Sequence, residues 1–138
     1  MINWSEEDLK NYYKKTGSNK YVVKKQNKYK NKKITFNGME FDSKKELHRY
    51  IELKNMLKNG NVEKLERQVE FVLLDSFKDN NGKTERSVKY IADFMYTING
   101  IVYVEDVKSK ITKKDSTYII KRKLFKKNFP NYIFIEND

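Results

Sequence analysis

Asp93, Asp106 and Lys108 are the residues of this chain whose types and spacing point most directly to chemistry. They lie on either side of Asn99-Gly100, in the β-rich runs Ile91-Ala92-Asp93-Phe94 and Val104-Glu105-Asp106-Val107-Lys108. Asn-Gly between such runs predicts a two-residue type I′ turn, because both turn positions need positive φ. Ile98 then pairs with Ile101, and every opposed pair of residue numbers sums to 199. This register sets Asp93 directly across from Asp106, with Lys108 two residues further along the same face. Opposed carboxylates repel and weaken a sheet, so a divalent cation held by both is the expected compensation. A bulge between them would break the register and part the two side chains.

Carboxylates with a lysine suit phosphodiester hydrolysis. Hard oxygen ligands hold Mg²⁺ with retained waters, and Mn²⁺ can substitute. One retained water is a natural nucleophile, and the metal offsets charge building on the phosphate. Asp93 and Asp106 are the expected metal ligands, with the Val107 carbonyl as a further one. Lys108 would orient or deprotonate the water, or stabilise the phosphate; the residues alone do not choose. There is no cysteine and a single histidine, His48, which excludes thiolate and multi-histidine sites. No glycine-rich phosphate loop is present.

Further candidates come from helical periodicity. Asp42-Ser43 opens a helix that ends at Asn59-Gly60. At about 100° per residue, Glu46 falls within the arc of Leu53, Leu57 and Tyr50, so its carboxylate points into the packed side and wants a partner. It also completes a capping box, Ser43-Lys44-Lys45-Glu46, in which it would bond back to the Ser43 amide. His48 falls on the opposite side with Asn55 and Glu52, exposed and inert. On a second helix, about Ser116 to Lys127, Lys121 falls between Leu124 and Phe125, placed either to reach a phosphate or to snorkel to water.

The positioning elements read as α, β, β, β, α, β, a mixed α/β sandwich. Strands cover Leu65 to Leu74, Arg86 to Ile98, Ile101 to Lys108 and Tyr132 to Ile135, with Pro130 ending the second helix. Ile34 to Phe41 is a short hairpin or turn that leads into the domain. Ahead of it, Trp4 to Leu9 reads as a short capped helix, and 16–33 as a polar linker or arm. The domains are therefore a basic N-terminal helix and arm, 1–33, and a main domain, 34–138. One face of the central hairpin carries Ile91, Met95, Val102 and Val104 around the aspartates. The other carries Ala92, Phe94, Tyr96, Ile101, Tyr103 and Val107. A sheet apolar on both sides expects cover on both, which makes the aspartates buried and dependent on partners.

The net charge of +11 is concentrated at two places: residues 1–33 hold ten lysines against three acids, and 109–127 eight bases against Asp115. Such flanks suit a polyanion, nucleic acid rather than membrane, although 26 Lys against 4 Arg also fits a low-GC coding bias. Lys24, Lys25, Lys28, Lys30, Lys110, Lys113, Lys114 and Arg122 are the expected phosphate contacts. Tyr12, Tyr13, Tyr21 and Tyr29 would either stack on bases or pack. No apolar run spans a membrane and no signal peptide opens the chain, so a cytoplasmic protein is expected.

Asp93 followed by Asp106-Val107-Lys108 after a hairpin resembles the signature of the PD-(D/E)XK nuclease superfamily, with Ala92 in place of the eponymous proline. The helix-borne Glu46 strengthens the likeness, which spans roughly 28–136. It is nearest to small phage and prophage proteins with text like Phe41-Asp42-Ser43-Lys44-Lys45-Glu46 and Ile120-Lys121-Arg122-Lys123-Leu124-Phe125, and is also similar to transposon-end nucleases. The resemblance adds Gln68, on the first core strand, to Glu46, Asp93, Asp106, Lys108 and Lys121 as site residues. Val69 follows it where relatives often have proline. It implies a restriction-endonuclease-like αβββαβ core with a mixed sheet flanked by helices, metal-dependent cleavage of double-stranded or branched DNA, phage encoding within a bacterial cell, and a homodimer. Two other readings remain: a nuclease fold that binds DNA or protein without cutting, and a structure-selective resolvase of the Holliday-junction type.

Overall fold

The computed structural model describes residues 5, 7, 8, 11, 22, 23 and 33–137. Lys24, Lys25, Lys28, Lys30 and the arm tyrosines lie outside the described residues. The chain forms two compact units, Met1–Asn55 and Met56–Asp138.

In the first unit, Ser5 caps the N-terminal helix: its Oγ accepts from the Asp8 N–H at 3.1 Å, and Asp8 Oδ2 accepts from the Ser5 N–H at 2.7 Å. β1 (Val22–Val23), β2 (Ile34–Phe36) and β3 (Met39–Phe41) form a small antiparallel sheet in that order. β1 is, with Lys33, the only part of the expected linker or arm at 16–33 that lies among the described residues. Its two β-branched residues are too few to show a period in sequence, and they become a strand by pairing with β2. Asn37-Gly38 turns the chain between β2 and β3 with φ of 49° and 78°.

α1 (Lys44–Lys58) follows, burying Leu47, Tyr50, Ile51 and Leu53, and Phe41 packs on Tyr50 with ring centroids 5.2 Å apart. His48 is also buried, which overturns its assignment to an exposed face. A helix can bury more than one stripe when covered on more than one side, and sequence periodicity reports only the strongest. Burial lowers the His48 pKa, so the ring is held neutral.

In the second unit, β4 (Glu63–Leu74), β7 (Val88–Ile98), β8 (Ile101–Val107) and β9 (Ile133–Asn137) form a four-stranded sheet in that order. β4–β7 and β7–β8 are antiparallel and β8–β9 parallel, so the sheet is mixed. The short strands β5 (Phe77–Lys78) and β6 (Thr84–Glu85) pair across the polar turn between them. After β8 comes a single turn, α2 (Lys110–Lys113), capped by Ser109. α3 (Ser116–Asn128), capped by Asp115, then carries the chain over to β9, the crossover that a parallel neighbour requires. α3 lays Phe125 against Phe71, Tyr90 and Phe134, with centroids 4.9, 5.5 and 5.6 Å away.

The turn at Asn99-Gly100 has φ of 49° and 80°, and the β7–β8 register keeps its sum of 199 from Ile98–Ile101 to Phe94–Glu105. The ladder stops there, one pair short of Asp93–Asp106. β4 breaks at the matching point: its pairing runs through Arg67–Phe94 and resumes at Val69–Ala92, and Gln68 between them has φ 51°. Ala92 belongs to the Phe71–Tyr90–Phe125 cluster and Met95 packs against the same cluster. Two residues three apart cannot share a face of a regular strand, so β7 switches faces at Asp93.

The switch corrects the expected faces of the hairpin. Tyr90 and Ala92, not Ile91, lie beside Val104, and Ile91 is 51% exposed.

Candidate functional site

Asp93 and Asp106 end up together and buried, with exposures of 9% and 0%. Each carboxylate is tied down by a different donor. Asp93 Oδ2 accepts from the Val107 N–H at 2.9 Å, which takes the place of the missing ladder bond, and Gln68 Nε2 lies 3.4 Å from Asp93 Oδ1. Asp106 Oδ2 accepts from the Tyr90 hydroxyl at 2.5 Å. Asp106 Oδ1 has Lys108 Nζ at 3.4 Å as an ion-pair neighbour, yet accepts no hydrogen bond among the described residues. Lys108 Nζ also lies 5.4 Å from the centre of the Tyr118 ring.

The electrostatics follow from this crowding. Burial, then the adjoining Asp106 carboxyl, pushes the Asp93 carboxyl up to about 7, against the opposing pull of the Val107 N–H and Lys108. Burial and the charge of Asp106 raise the Tyr90 hydroxyl, so it stays a donor. Burial and the carboxylates of Glu136 and Asp106 raise Tyr118 likewise.

Beside the pair opens a groove of about 400 Å³, whose lining includes Lys89, Lys108, Lys121, Thr112, Thr117 and Tyr118. Lys121 therefore shares this groove with Lys108. Lys89 is balanced by Glu70 at 2.8 Å. Lys110 and Lys114 are exposed at the ends of α2, and Lys113 is half-buried.

Arg122 does not stand free for a phosphate. Its guanidinium bonds Glu136 Oε1 at 2.9 Å, joining α3 to β9. Sequence order gave no sign of this partner fourteen residues away. Glu46 belongs to the first unit, where it is buried as its helical position predicts. The capping box forms with a shift: Glu46 accepts from the Asp42 N–H at 3.2 Å, one residue before the expected Ser43, while its own N–H donates to Ser43 Oγ at 3.2 Å.

Three residues went unread in the sequence. Tyr90 sits three positions before Asp93, a spacing that a regular strand sends to the far face. Tyr118, on α3, is buried with its ring beside Lys108 Nζ. Glu105 is wholly buried, with Tyr96 Oη donating to its Oε1 at 2.9 Å and Asn137 Nδ2 3.4 Å from its Oε2. Its place on the other side of the hairpin from Asp106 follows from strand alternation.

Among the described residues, no three carboxylate or imidazole groups converge as a ready-made metal cage. Two carboxylates suffice for Mg²⁺, which usually keeps several waters. The buried Asp106 Oδ1 without a hydrogen bond, next to Asp93, is a donor arrangement that fits a hard divalent cation. Among the described residues, no helix is long and apolar enough to cross a membrane.

No curated protein and no solved structure matches this chain. One family model does, over residues 26–135, which takes in α1, the whole four-stranded sheet except its last two residues, and the acid pair. By that match the chain belongs to the DUF1064 family, described as a protein of unknown function.

Proposed function

We propose that this protein is a metal-dependent phosphodiesterase acting on DNA, an endonuclease with a restriction-endonuclease-like core. The observation that carries the reading is the buried pair Asp93–Asp106 with Lys108 Nζ 3.4 Å from Asp106 Oδ1. Two carboxyl groups buried side by side are costly unless something uses them. The mixed four-stranded sheet and the α3 crossover support that reading.

Asp93 and Asp106 would hold Mg²⁺ or Mn²⁺. A bound cation there supplies Lewis acidity at the phosphate and an acidified water. Lys108, half-buried and beside Asp106, stabilises negative charge that develops on the phosphate or orients the attacking water. Gln68 and the Val107 N–H hold Asp93 in place. Lys121, in the groove, meets the phosphate backbone and gives salt-dependent binding.

A second reading is a DNA-binding module that does not cut, favoured by the lysines Lys89, Lys108 and Lys121 that line the groove. One experiment separates the two. Duplex, single-stranded and branched DNA are incubated with the protein and Mg²⁺ or Mn²⁺, beside Asp106→Ala and Lys108→Ala. Cleavage by wild type alone supports the nuclease. Retained binding without cleavage moves the reading to the module, and equal cleavage by the variants exposes a contaminant.

A further inference from the structure

Tyr90 is 3% exposed, and its hydroxyl makes the shortest contact at the acid pair, 2.5 Å to Asp106 Oδ2. That is at the short end of the range for a hydrogen bond between oxygens. The phenol ring is fixed by neighbours on two elements, Phe125 of α3 at 5.5 Å and Phe134 of β9 at 6.3 Å. The hydroxyl reaches Asp106 only because β7 switches faces at Asp93. In an unbroken strand Tyr90 would lie on the side away from Asp93 and its partner. The backbone irregularity therefore does two things at once: it frees the Val107 N–H for Asp93, and it brings Tyr90 beneath Asp106.

A carboxylate can present either oxygen. With Oδ2 occupied by Tyr90, Oδ1 is the atom left beside Lys108, and it is the one without a hydrogen bond among the described residues. We propose that Tyr90 is a positioning residue, whose hydroxyl locks the Asp106 carboxylate in the rotation that offers Oδ1 to a divalent cation and to Lys108. This rests on the reading of Asp93 and Asp106 as a cation site. Ligating carboxylates are commonly held by outer hydrogen bonds of this kind, whose loss weakens metal affinity about 10- to 100-fold.

The test is Mn²⁺ affinity of the full chain, followed by the electron paramagnetic resonance of free Mn²⁺, for wild type, Tyr90→Phe, Asp106→Asn and the double variant. Phenylalanine keeps the ring and its packing. Tyr90→Phe is expected to lose affinity by about 10-fold or more. In the Asp106→Asn background the same change should add nothing, because its effect passes through Asp106. Unchanged affinity in Tyr90→Phe overturns the proposal while leaving the cation site intact. An equal further loss in the Asp106→Asn background overturns it too, as general damage to packing. A wild type that takes up no Mn²⁺ removes the cation site and the proposal together.

A measurement on the unmutated protein guards against a variant that fails to fold. The Tyr90 hydroxyl proton should resonate far downfield and resist exchange both without and with saturating Mg²⁺. Its loss on Mg²⁺ addition would mean the bond breaks when the cation binds, and the proposal falls.

Discussion

Gln68 and Asp93 face one another across β4 and β7, and the backbone departs from regular pairing at both. Gln68 has φ 51°, its amide lies 3.4 Å from Asp93 Oδ1, and the ladder is unshifted on either side, from Arg67–Phe94 to Val69–Ala92. Two strands that switch faces together keep their register, which a single bulge would not. Positive φ at a residue with a side chain stores strain, and such strain gathers at functional sites.

That strain gives the first prediction. Within a strand, glycine is ordinarily less stable than alanine by about 0.5–1 kcal/mol. At position 68 the order should reverse, because the left-handed region costs a side chain about 1–2 kcal/mol. Gln68→Gly is expected to be more stable than Gln68→Ala by about 1 kcal/mol in urea unfolding. The ordinary order would show that Gln68 carries no such strain.

The acid pair predicts a pH dependence of stability. An unfolded aspartate titrates near 3.8, whereas burial and Asp106 raise Asp93 to about 7 in the fold. Between those values the folded chain keeps a proton that the unfolded chain releases, so this group's contribution to stability falls as pH rises from about 4 to about 7. Asp93→Asn removes that loss. It should stabilise the protein at pH 7 by on the order of 2 kcal/mol and have little effect near pH 4. Denaturant unfolding at both pH values checks this, and a destabilisation equal at the two would contradict it.

Cation binding runs the other way along the pH scale. Both carboxylates must be ionised to act as ligands, so Mn²⁺ affinity should climb between pH 6 and pH 8 and binding should release protons. Calorimetric titration in buffers of different ionisation enthalpy counts them. Binding that neither strengthens with pH nor releases protons would place the cation elsewhere.

Arg122 and Lys121, adjacent in sequence, should behave differently. Arg122 and Glu136 have side chains 26% and 19% exposed, so their pairing is worth roughly 1 kcal/mol or less. Arg122→Ala and Glu136→Gln should each cost stability, and less than additively when combined.

On the nuclease reading, Lys121→Ala should leave stability unchanged and lower the slope of log affinity for DNA against log salt by about 1. Fluorescence anisotropy across a salt series measures that slope. No change for Lys121→Ala, or as large a change for Arg122→Ala, would reverse the assignment.

Much of this architecture was legible because it is local. Asn99-Gly100 dictates its own turn geometry, and the turn dictates the register as far as Phe94–Glu105. The burial of Glu46 and the start of α1 follow from helical angle and capping within a few residues. The ends of β7, β8 and α3 fall within two residues of where turn and stop signals put them. The side of α1 that holds His48 was misread, since what covers a helix is not written in its own periodicity.

By itself, then, the sequence determined the order of the core elements and the hairpin register as far as Phe94–Glu105, one pair short of the two aspartates. The tertiary structure alone decided how those groups are held. The paired break at Gln68 and Asp93 needs two strand positions 25 residues apart to irregularise together, and strand alternation read along one chain cannot foresee it. From that break follow the Tyr90 bond to Asp106 and the Val107 bond to Asp93. Arg122 was drawn away from the surface by Glu136 for the same reason. Turns and caps are settled by neighbours in sequence, whereas the partner of a buried charge is settled by whichever donor the packed elements bring within reach.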